Sequence, residues 1–228
     1  MKKLRNALVA TTIIFSSVAT VLALPLNEAE AATDQRYSDV PTVYYAYDEI
    51  EALSEAGAIN GYTDGTFKPH IAIKRIHFAK IFTLGLGIEH QTREEVDSSY
   101  KDVPANHPMV HYIEASKPFI SGYEEDGMDY YEPFLFMNRS EAAAAFVKYL
   151  GLEPAQADLS YIEDYVDKER FPEELTPYIA LAKEYGIMVG GRALDPTKAK
   201  FSYNGVLTRA EMAIVLMRVL EVEKTLNQ

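Results

Sequence analysis

The chain has 228 residues, 48% of them hydrophobic, enough for one medium domain or a few small units sharing a core. It has no Cys, which excludes disulfides and thiolate metal sites, and its formal net charge of −12 disfavours nucleic acid and anionic membranes as partners.

The opening stretch, MKKLRNALVATTIIFSSVATVLALPLNEAEA, does not read as part of a fold. Lys2, Lys3 and Arg5 precede an uncharged run from Ala7 to Leu24, and small residues follow at Ala29 and Ala31. This predicts a secretory signal peptide over 1–31, cut after Ala31, and no membrane span after cleavage. An uncleaved membrane anchor is the alternative, because the apolar run is long. Thr11, Thr12, Ser16 and Ser17 dilute that run, and the Ala-x-Ala spacing favours cleavage. Cleavage removes three basic residues and two acidic ones (Glu28, Glu30), leaving 19 basic and 32 acidic residues, a net of −13.

Three segments then align on one another: 37–88, 100–152 and 161–222. A period of about 50–60 residues predicts repeated supersecondary units, none able to bury its apolar face alone. Each begins with an aromatic and an aspartate: Tyr37 with Asp39, Tyr100 with Asp102, and Tyr161 with Asp164. An amphipathic helix follows, with Ile50, Leu53 and Ala56 at helical spacing in the first unit and Ile179, Ala182 and Tyr185 in the third. Gly61, Gly122 and Gly190 then share one register, which suggests positive φ or a close backbone approach. After loops of different length, an aromatic recurs eight residues before an arginine: Phe67 before Arg75, Tyr131 before Arg139, Phe201 before Arg209.

A second helix starts at each arginine. Thr208-Arg209-Ala210-Glu211 reads as a capping box, and Asn138-Arg139-Ser140-Glu141 as the same device with Asn as cap. The helices carry apolar stripes at Phe78, Ile81, Phe82 and Gly85, at Ala142, Ala145, Phe146 and Tyr149, and at Met212, Val215, Leu216 and Val219. Three equivalent stripes predict three helices packed on one another. A cation in the first turn opposes the helix dipole, so helix stability does not explain the arginines. Free N–H groups beside a guanidinium would instead suit an anion.

In their order, YSDV, INGYTDGTFKP and LTRAE resemble the S-layer homology domain, present as three tandem copies over about Tyr37 to Val222. The resemblance implies a mainly α fold: three pseudo-symmetric helix-loop-helix repeats in a pseudo-trimeric spindle around a central three-helix bundle. It implies grooves between repeats that bind secondary cell wall polymer, often through pyruvylated N-acetylmannosamine, and so hold the protein non-covalently on the wall. The arginines would contact the carboxylate, with Arg139 and Arg209 ahead of Arg75. Asp39, Asp102, Asp164, Gly61, Gly122 and Gly190 would complete the grooves, with Thr208, Glu141 and Glu211 from the helix starts. The family's tryptophan position falls on Tyr45, Pro108 and Glu174; only Tyr45 keeps an aromatic face. In the first copy Lys74 replaces the capping Thr and His77 the Glu.

The remaining motifs carry less. His107 and His111 stand four apart, but Pro108 lies between them and no His-Glu-x-x-His order exists. EEDGMD (124–129) lacks the spacing of a calcium loop, and Asn138 fits a cap better than a glycosylation acceptor. No nucleophile motif or phosphate loop appears, so no enzyme and no cofactor is expected. The expectation is a secreted anchor on the surface of a bacterium, its partner an anionic cell-wall polysaccharide, with either another protein as cargo or the module acting alone by occupying wall sites. The alternatives are a wall-targeted enzyme modulator or a lattice-assembly protein.

Overall fold

The computed structural model describes residues 35–192 and 198–228; the expected signal peptide lies outside them. The fold is mainly α. Helices α1 (Tyr47–Glu55), α2 (Arg75–Gly85), α3 (Val110–Ser116), α4 (Arg139–Tyr149), α5 (Thr176–Glu184) and α6 (Arg209–Leu226) follow in order. Two small antiparallel hairpins intervene, β1 (Tyr123–Glu125) with β2 (Met128–Tyr130) and β3 (Gly191–Arg192) with β4 (Ala199–Lys200). Both occupy the variable loop between a mid-unit glycine and the aromatic, where the second and third units carry their extra residues.

The stripes read from the sequence form the core. Phe78, Phe82, Ala142, Ala145, Phe146, Met212, Leu216 and Val219 are fully buried. Phe146 packs against Phe78 and Phe82, with ring centroids 5.6 and 5.3 Å apart. Gly85 lets α2 approach α6 closely, since a Cβ there would stand 2.3 Å from Leu216 Cδ2. Around this centre the first helix of each unit packs on the second helix of another: α3 on α2, α5 on α4, α1 on α6.

The backbone repeats the same rotation. Ile73 N–H donates to Leu207 O (2.8 Å), Leu207 N–H to Met137 O (2.9 Å) and Met137 N–H to Ile73 O (2.8 Å). One residue from each unit thus closes a ring of three hydrogen bonds, and all three side chains are buried.

The third unit opens later than its sequence suggested. Asp39 accepts from Phe67 and Lys68 N–H, Asp102 from Tyr131 and Glu132 N–H, and the residue doing so in the third unit is Asp167, from Phe201 and Ser202 N–H. Its aromatic partner is the buried Tyr165. Asp164 instead pairs with Lys183 at the surface, and Tyr161 is exposed.

Candidate functional site

Three clefts recur, each assembled from more than one unit. The first holds Gly61, Tyr62, His77 and Lys80, with Met109 from the second unit and Arg209 from the third, and encloses about 210 Å³. The second, about 410 Å³, holds Gly122, Tyr123, Glu141 and Lys148, with Arg75 from the first unit and Glu174 and Tyr178 from the third. The third, about 320 Å³, holds Gly190, Phe201 and Glu211, with Arg139 from the second unit. Burial first, then Tyr45, Asp39 and Glu211, raise the pKa of the Tyr44 hydroxyl. Tyr45 stacks on Tyr44 and is 62% exposed; Pro108 is exposed, and Glu174 is exposed on the wall of the second cleft.

The mid-unit glycines shape these clefts by close approach. A Cβ on Gly61 would lie 2.2 Å from the Tyr37 ring, one on Gly122 2.5 Å from the Tyr100 ring, and one on Gly190 3.0 Å from the Tyr165 ring. Only Gly190 also has positive φ. The aromatic that opens each unit therefore lies directly beneath its glycine.

Each arginine crosses to another unit in the same way. Arg75 Nε donates to Tyr131 O, Arg139 Nε to Phe201 O and Arg209 Nε to Phe67 O, all at 2.8–2.9 Å. Arg75 Nη2 also reaches Ser121 O, and Arg209 Nη2 reaches Asn60 O, both 2.7 Å. Each guanidinium lies over the aromatic whose carbonyl it holds, at 5.0, 5.4 and 4.4 Å from the ring centroid. Each recurring aromatic therefore places a carbonyl and a ring face where an arginine from another unit arrives.

The helix N-termini are not the open anion sites that the sequence suggested. The N–H groups of Arg75, Arg139 and Arg209 donate to Leu135, Gly205 and Ile71 O, and those of Ile76, Ser140 and Ala210 donate to Pro133, Tyr203 and Pro69 O. Side-chain caps take the next donors in two helices, where Glu141 N–H donates to Asn138 and Glu211 N–H to Thr208. Of these two helices, α6 completes the capping box at Thr208, whose N–H and hydroxyl both reach Glu211 Oε2. At Asn138 the box is half formed, because Glu141 turns instead to Arg75 (2.5 Å) and to the Tyr123 hydroxyl.

Charge separates the clefts. Arg75, 1% exposed, is neutralised by Glu141, and Arg139 pairs with Glu211 at 2.7 Å. At the matching position of the first cleft stands His77. Among the described residues no carboxylate forms an ion pair with Arg209. Asp39, which acts on Arg209 electrostatically, already accepts two backbone N–H groups. Burial lowers the Arg209 pKa, with Tyr62, Tyr37 and Asp39 acting in the opposite direction. Lys80 lines the same cleft. Sequence reasoning passed over His77 and Lys80 as site residues, although the missing glutamate at position 77 was visible.

The chain is thus built of interlocked helical units whose clefts each receive an arginine from another unit. Residues 36–79 match the S-layer homology domain model, so the chain carries an S-layer homology domain. It is 30% identical over 179 residues to the surface-layer 125 kDa protein of Lysinibacillus sphaericus, covering 78% of this chain and 14% of that protein. It is 28% identical over 184 residues to the S-layer protein of Bacillus licheniformis, covering 80% of this chain and 20% of that one. A cellulosome-anchoring protein of Acetivibrio thermocellus is 30% identical over 132 residues, 55% of this chain and 28% of the relative. The chain thus spans only a small part of the relatives it matches.

Proposed function

We propose that this protein anchors non-covalently to the outside of a bacterial cell by binding an anionic cell-wall polysaccharide, and that the first cleft is its main site. The observation that carries the reading is the Arg209 guanidinium, which shares its cleft with Lys80 and, among the described residues, forms no ion pair with a carboxylate, in a chain that is otherwise strongly acidic. A polymer drawn to this surface must find a local concentration of cations, and the other two clefts have internal glutamates. The match to the S-layer homology domain and the identity of the relatives, S-layer proteins and a cellulosome anchor, support a wall-surface location and an anchoring rather than a catalytic task. A carboxylate-bearing sugar, such as a pyruvylated N-acetylmannosamine unit, suits the planar donor fork of arginine.

The test is co-sedimentation with purified walls, before and after acid extraction of the secondary polymer, followed by calorimetric titration with the extracted polysaccharide. Binding should vanish with the polymer. Arg209→Ala should weaken titrated binding by about ten- to a hundredfold, the effect of losing a charge-assisted contact of about 1.5–3 kcal/mol. Arg209→Lys should restore only part of it. Retention that survives extraction would point to peptidoglycan and overturn this reading.

A further inference from the structure

We infer that His77 controls the first cleft, keeping it open to an anion where the other units close theirs, and adding a positive charge when it takes a proton. This deepens the proposed wall-binding role and rests on it. The argument starts from position. His77 stands two residues into α2, as Glu141 does in α4 and Glu211 in α6. Those glutamates receive the arginine that arrives from another unit. His77 cannot act as such an anion in either protonation state, so the Arg209 Nη1 edge keeps donors for a ligand.

The surroundings make the proton count. His77 is exposed at the cleft mouth. The charged groups facing it are Lys74 and Lys80 on its own helix and Arg209 on α6. The rest of the lining, residues 58–62 with Ile81 and Met109, holds no carboxylate and no further cation. Partial burial, then these three cations, lower the His77 pKa in the empty cleft. An anion bound among them reverses that bias, since an opposite charge at close range favours the imidazolium. Binding therefore takes up a proton, and affinity rises as the pH falls through the range where free histidine titrates, about 6.5 and below. An acidified cell surface would hold the protein more tightly than a neutral one.

The experiment is calorimetric titration of the intact protein with acid-extracted anionic wall polysaccharide at pH 5.5, 6.5 and 7.5 and constant ionic strength, beside thermal melts. The wild type should gain about two- to fivefold in affinity from pH 7.5 to 5.5, the size of one screened charge contact. His77→Gln should lose that gain. His77→Glu should supply Arg209 with the partner its two counterparts have and weaken binding at least about tenfold at every pH, with its melting temperature maintained. Full-strength binding by His77→Glu, or an undiminished pH gain in His77→Gln, overturns the inference while the wall-binding role stands, provided Arg209→Ala still loses affinity. If Arg209→Ala binds like the wild type, both fall together.

Discussion

Asp167 illustrates how far a residue's neighbours decide its meaning. Asp164 and Asp167 lie three apart in an acidic stretch, and both follow a tyrosine at short range. Only Asp167 is buried, 6% exposed, with both oxygens taken by Phe201 and Ser202 N–H. Asp167→Ala strands two backbone donors and should destabilise the fold by about 2–4 kcal/mol. Asp164→Ala removes a surface pair with Lys183 and should change stability by less than about 0.5 kcal/mol. Chemical denaturation of the two variants separates them; equal losses would show that the third unit opens at Asp164 after all. The same contrast holds for the arginines. Arg75→Ala removes a buried guanidinium, leaves the half-buried Glu141 without its cation, and should cost about 3 kcal/mol of stability. Arg209 has no such partner, so Arg209→Ala should cost less stability and more binding.

Among the helices, much was legible before any coordinates. The apolar stripes of α2, α4 and α6 are the buried faces, the cap at Thr208 closes as its residues require, and each helix begins at its arginine. What could not be read was which partner each end meets. Sequence spacing shows that an N–H lies at a helix start; it does not show that a loop from another unit brings a carbonyl to it. The third opening slipped for a related reason. Tyr165-Val166-Asp167 has the same spacing as Tyr37-Ser38-Asp39, but a longer, acidic segment before it offered Tyr161 and Asp164 first. Helix contact supplies a prediction here. Gly85→Val should clash with Leu216 and destabilise by about 1–3 kcal/mol, and Leu216→Ala in the same chain should recover part of that loss. Strictly additive losses in a double-mutant cycle would mean α2 and α6 do not meet at this point.

For the molecule as a whole, the ring at Ile73, Met137 and Leu207 sets the unit of cooperativity. A chain ending at Leu152 loses Leu207 and all of α5 and α6. It strands the Ile73 N–H and the Met137 carbonyl in a formerly buried centre and exposes the α2 and α4 faces that α6 covers. Such a fragment should melt without a cooperative transition and bind hydrophobic dye. Two-state melting of the fragment, with the helicity per residue of the intact protein, would contradict a shared core.

The crossed arginines also constrain how such a chain can change over generations. Every cleft draws an arginine from one unit, its floor from a second and, where the lining reaches that far, a wall from the remaining one. Recombination that exchanges a whole unit between sister genes therefore rewrites the arginine of one recess and the floor of another at once. A single codon change at position 77, 141 or 211 touches one recess alone. Diversification of specificity is accordingly cheaper by point substitution than by shuffling, and position 77, where His stands against Glu141 and Glu211, is one place where a single change would act.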